Sequence, residues 1–148
     1  MSSPAPSPLA LLDALLVSPV APASGPDVHA FWRAHLARTE HVDVPFDRAV
    51  LGGLHADRLG YTFAAGYQSA LHAMVPAQSR TRLASLCATE AGGVQPRAIT
   101  STLRRDGAVW RLSGRKTWVT LGLDAEVLFV VASTGTDEIG RASRRERV

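Results

Sequence analysis

The sequence predicts an α+β chain in which helices come first and a small antiparallel sheet follows. Two observations carry that prediction. Between residues 83 and 131, four or five short runs rich in β-branched and aromatic residues are separated by turn signals, the spacing of a compact sheet. Ahead of them, residues 28–80 place apolar side chains at helical spacing behind capping and proline signals. With 46% hydrophobic and 20% charged residues, the composition is that of a globular chain, and 148 residues fit one domain of ordinary size.

Residues 1–27 form a Pro/Ala-rich arm with Pro4, Pro6, Pro8, Pro19, Pro22 and Pro26. The apolar stretch 9–16 inside it has room for a helical turn or two. It carries Asp13 and lacks a basic leader, so it does not read as a secretory signal.

A helical region, 28–80, follows. Asp27 is placed to cap the first helix, and Phe31, Trp32 and Leu36 make an apolar side up to about Thr39. His29, His35 and His41 are not spaced to put two ligands on one face, and are read as solvated or capping residues. Pro45 opens a second helical segment, about 46–75, with Asp47 favourably placed in its first turn. Each glycine there costs about 1 kcal/mol of helix propensity, so Gly52-Gly53 marks either a joint between two helices or a close-packed point within one. Residues 60–75 are too few and, with Gln68 and His72, too polar to span a bilayer.

The β-region, 81–136, is most clearly marked by a hairpin. Residues 98–105 alternate, Asp106-Gly107 supplies the positive φ of a tight turn, and Val109-Trp110-Arg111-Leu112 returns. A second turn at Ser113-Gly114 leads to a strand over 116–120, and the apolar run within 123–133 suits a strand buried on both faces. The single cysteine, Cys87, rules out an internal disulfide and reads as a small buried hydrophobe in a strand. No His/Cys/Asp/Glu spacing indicates a metal.

Residues 137–148 have no hydrophobic period and read like the in-frame translation of a common sequencing-adapter oligonucleotide. They are expected to be non-native and are set apart from the fold. From Glu138 onward, the arginines Arg141, Arg144, Arg145 and Arg147 against Glu138 and Glu146 supply +2 of the net +3. The basic balance is thus mostly a property of the tail, and Arg104-Arg105 on a strand is no nucleic-acid footprint. Without the tail, the apolar run ending at Val131 is a bare sheet edge, which predicts an insoluble or molten chain when made alone.

The order Thr89-Glu90, a glycine-bearing loop, a hairpin, then Gly114-x-Lys116-x-Trp118-Val119-Thr120 and an apolar strand resembles the middle β-domain of the acyl-CoA dehydrogenase family of flavoproteins. Taken singly, Thr89-Glu90 reads as a strand end and Trp118 as a core aromatic; the resemblance rests on their joint order. It implies N-terminal helices followed by an incomplete antiparallel β-barrel. It further implies FAD as cofactor, with Leu86, Ala88, Thr89, Trp118, Val119 and Thr120 against the flavin and Gly92, Gly93 and Gln95 at the substrate. Thr89 and Thr120 would supply donors to the polar edge of the ring and Trp118 a flat apolar wall. Glu90 occupies a motif position that is structural in the family.

By that resemblance the chain is a fragment of an FAD-dependent acyl-CoA dehydrogenase-like enzyme, which abstracts an α-proton and passes the β-hydrogen as hydride to the flavin. An acyl-CoA or similar thioester is the implied substrate, and homo-oligomerisation is expected of the full-length protein. The catalytic base would come from a C-terminal helical domain, so no residue here is assigned to it. One departure is the loop Ala91-Gly92-Gly93-Val94-Gln95-Pro96, which lacks the serine the family places near the flavin phosphates and the thioester arm. That departure keeps open a flavin-dependent monooxygenase-like protein or a non-catalytic flavin- or acyl-CoA-binding relative. A cofactor-free α+β interaction module is the third reading. The sequence shows no targeting or transmembrane signal, which makes the cytoplasm the expected location.

Overall fold

A computed structural model describes residues 15–17, 21–22 and 25–135, together with the backbone of 143–146. Most of the arm and most of the tail therefore lie outside the described residues. The chain divides into two compact units, Met1–Thr81 and Arg82–Val148. The first is helical and the second carries the strands, so the chain is mixed α+β.

In the helical unit, α1 (Val28–Arg38), α2 (Pro45–His55) and α3 (Leu59–Met74) pack around Phe31, Trp32, Leu51, Tyr61, Ala64, Ala65 and Leu71. Asp27 caps α1 by accepting from the Ala30 amide at 2.7 Å, which satisfies one of the orphan N–H groups of the first turn. Phe31 and Tyr61 stack at 4.6 Å between ring centres, and the Tyr61 hydroxyl donates to the Gly25 carbonyl at 3.1 Å. The second helical segment is two helices, and the joint falls at residues 56–58, just beyond the glycine pair. Gly52 serves packing instead: a Cβ there would come within 2.3 Å of the Ala65 Cβ and 3.1 Å of the His35 ring, so α2 and α3 cross closely only because this side chain is missing.

His35 corrects the expectation of solvated histidines. It is fully buried among Phe31, Trp32 and His55, whereas His41 is exposed.

In the second unit, β1 (Ala84–Cys87) runs parallel to β4 (Val127–Val130), in register Ala84↔Val127 to Cys87↔Val130. β2 (Thr102–Asp106) and β3 (Val109–Ser113) form a separate antiparallel hairpin, and Gly107 turns it with φ 62°. Neither sheet closes into a barrel. The central pair is parallel where the sequence suggested antiparallel pairing throughout, because a crossover of some forty residues, hairpin included, lies between β1 and β4. The hairpin attaches through the Ser133 amide to the Ser101 carbonyl and the Leu103 amide to the Ser133 carbonyl, both 2.8 Å.

Two strand expectations also change. Residues 98–101 are not strand, since Pro96–Ala98 forms a 3-10 turn. In place of the strand expected over 116–120, residues 116–119 are irregular, and 120–124 are turns ahead of a four-residue β4. The outer edge of β4 is paired antiparallel with β5 (Ser143–Glu146), so the edge the sequence leaves bare is occupied by tail backbone. No helix among the described residues is long and apolar enough to cross a membrane.

Candidate functional site

Glu90 ends the run after β1 and is only 4% exposed. Its carboxylate accepts from the Thr100 amide (2.7 Å), the Thr100 hydroxyl, the Ser101 amide (2.9 Å) and the Lys116 ammonium (2.6 Å). Lys116 also donates to the Ala88 carbonyl at 3.3 Å, and the Thr117 amide donates to the Thr89 carbonyl at 2.9 Å. Burial alone would raise the carboxyl pKa, but the Lys116 ammonium and the Ser101 and Thr100 donors outweigh it. Glu90 is held well below the usual carboxylate range. A carboxylate fixed as an ion and fully bonded is a clamp and cannot act as a proton acceptor.

The clamp brings the two motif segments together. Gly114 is where they meet most tightly: at φ 149°, a Cβ would lie 2.1 Å from the Ser101 Oγ and 2.6 Å from its Cα, so only glycine lets the chain pass. Beyond Lys116 the backbone is strained, with Trp118 at φ 55° and Leu121 at φ 54°, both bulky residues in the left-handed region. The Trp118 side chain is 89% exposed, so it is not the core aromatic that its apolar bulk suggests.

Beside these segments lies a cavity of about 780 Å³, within the range of small-molecule sites. Its apolar wall includes Cys87, Val119, Leu121 and Leu128, while Lys116 and Asp124 are its charged groups. Burial pushes the Cys87 thiol pKa up, in keeping with a buried hydrophobe. The cavity wall is thus mainly apolar, with the polar side chains of Ser101, Lys116 and Asp124 among it.

The predicted residues do not all meet at this cavity. Val119 lines it. The parallel register puts Ser85, Cys87, Leu128 and Val130 on one face of the strand pair and Leu86 on the other, with Val127 and Phe129. Ala88 and Thr89 are half-buried at the end of β1, their carbonyls bonded to the Lys116 ammonium and the Thr117 amide. The Thr120 carbonyl accepts from the Ser85 hydroxyl. Gly93 closes a tight turn on Glu90 through two backbone bonds, and Gly92 and Gln95 are exposed on the loop. Cys87, Lys116, Leu121 and Asp124 line the cavity without being among the residues expected there from sequence. Lys116 stood within the quoted motif; the turn that brings in Leu121 and Asp124 has no sequence signature.

Among the described residues no group of His, Cys, Asp or Glu is arranged to hold a metal ion. Comparison with protein-family models finds no match for the chain, and comparison with curated proteins finds none either.

Proposed function

We propose that the second unit is a flavin-binding platform of acyl-CoA dehydrogenase-like architecture, and that the chain is part of an FAD-dependent oxidoreductase acting on an acyl thioester. The observation that carries this reading is Trp118, a large aromatic held 89% exposed on a strained backbone immediately after the Glu90–Lys116 clamp. Strain of this kind costs of order 1–3 kcal/mol and persists where the surroundings enforce it, often at ligand clamps. An exposed indole at such a position is suited to cover one face of a planar ring. The neighbouring cavity of about 780 Å³, with Val119 in its wall, offers apolar surface for the ring body.

When bound, the flavin would supply the acceptor for a hydride from the thioester β-carbon. The chain's own residues would bind and orient the ring: Trp118 over a face, Val119 along its apolar edge, Thr89 and Thr120 near its polar end. Glu90 takes no part as base because it is already paired. The loop 91–96, lacking the family's serine, favours a second reading in which the platform binds flavin but serves monooxygenase-like chemistry or none.

Titration of the purified chain with FAD tests the platform itself. Saturable quenching of flavin fluorescence is expected, and Trp118→Ala should weaken binding about tenfold, the loss of one stacking contact of about 1.4 kcal/mol. An unperturbed flavin spectrum, or equal affinity in the variant, would overturn the proposal.

A further inference from the structure

The helical unit holds a second cavity, of about 310 Å³, bordered by Asp43, Arg48, His72, Pro76, Gln78 and Arg80. Arg48 is 2% exposed, an unusual position for a guanidinium. Its Nη1 donates to the Val42 carbonyl at 2.9 Å and the Asp43 carbonyl at 3.3 Å, so one nitrogen of a five-donor fork serves both bonds. His72 is 5% exposed, and neither ring nitrogen has a hydrogen-bond partner among the described residues. Trp32 lies against it at 5.9 Å and also pins the loop, its Nε1 donating to the Arg80 carbonyl at 2.8 Å. Among the described residues neither arginine forms an ion pair with a carboxylate.

Two guanidinium groups and a bare imidazole thus border one small void; burial first and then the neighbouring arginine charge disfavour the cationic forms of Arg48 and His72. Asp43 leaves the charge of the cluster at one net positive. We infer that this cavity binds the carboxylate of a small organic acid, seated between Arg48 and Arg80 with a hydrogen bond from His72. A guanidinium fork matches a carboxylate in two parallel bonds, and Pro76 gives a short apolar tail a surface to lie on. The unmet ring nitrogen of His72 is the atom such a ligand completes. The site belongs to the helical unit and does not depend on the flavin reading.

The test is titration of the full chain with butyrate, followed through the His72 ring signals by NMR. Butyramide serves as the neutral isostere and inorganic phosphate as a general anion. Butyrate is expected to shift those signals saturably and butyramide to leave them unmoved. Arg80→Gln, which changes an exposed side chain, should weaken butyrate binding about tenfold, the loss of one charge-assisted contact. A non-saturating response, an equal response to butyramide, or undiminished affinity in Arg80→Gln overturns the site. Phosphate binding more tightly than butyrate overturns the assignment to carboxylates.

Discussion

In the helical unit, His35 and His72 enter the core with both ring nitrogens bare among the described residues, while in the β-unit Glu90 enters with four donors already aimed at its oxygens. Both arrangements bury polar atoms almost completely, yet they solve the desolvation problem in opposite ways. The histidines escape it by staying neutral: burial first, then nearby cations, lowers each to about 4. The carboxylate stays charged and is compensated in place. A neutral buried imidazole responds to pH from neutrality downward, whereas a compensated carboxylate ignores pH over that range and cannot lose a partner.

The largest expected effect follows from the second half of that contrast. Lys116→Met would leave Glu90 buried with no cation, and should destabilise the β-unit by about 3 kcal/mol or more. Urea unfolding followed by hydrogen exchange at β1 and β4 would measure it, and adding Glu90→Gln should recover part of the loss, since the uncompensated charge then disappears. A loss below about 1 kcal/mol, the worth of an exposed pair, would mean the clamp is solvated.

Acid should separate the two units. The folded imidazoles release their protons near pH 4 and the unfolded ones near 6.5, so the unfolded state takes up protons first as pH falls. Stability from His35 and His72 is therefore complete above 6.5 and is lost on the way down to about 4, at about 2 kcal/mol for each ring after allowing for solvent screening. Glu90 has the opposite sign of origin: its folded pKa lies below its ordinary 4.5, so its contribution is intact above that value and fades only as pH falls further. Hydrogen exchange at pH 5 should show the amides of α1 and α3 exposed well before those of β1 and β4. Equal protection of the two sets at that pH would erase the distinction.

Much of this contrast was hidden from the sequence for a physical reason. Local signals did their part: Asp27 capped its helix, Asp106-Gly107 turned its hairpin, and Pro45 opened α2. Those features depend on residues within a few positions of each other. By helical spacing alone His35 has no partner and reads as a solvated or capping residue. What buries it is Gly52 on the next helix, whose missing side chain makes room for its ring. In the same way Glu90 and Lys116 lie 26 residues apart, and Gly114 and Ser101 are brought together by the fold. The motif order was visible, but the clamp that joins its two halves and the exposure of Trp118 beyond it were not.

The smallest expected effect is the most discriminating one for the helical unit. His72→Phe puts a somewhat larger apolar ring beside a cavity of about 310 Å³ and removes the two unpartnered nitrogens, and replacing unmatched polar atoms with apolar ones of similar shape is close to neutral. At pH 7 the variant should differ from the parent by about 1 kcal/mol or less, and below pH 6.5 it should be the more stable of the two, because one of the two acid-sensitive rings is gone. Thermal melts at the two pH values read both quantities. A marked loss at pH 7 would show that His72 makes a bond in solution, and the difference between melts with and without butyrate would say whether that bond is to the ligand. Neutrality at pH 7 combined with loss of the butyrate response would keep both ideas: a bare imidazole in the free chain, and a donor once the carboxylate arrives.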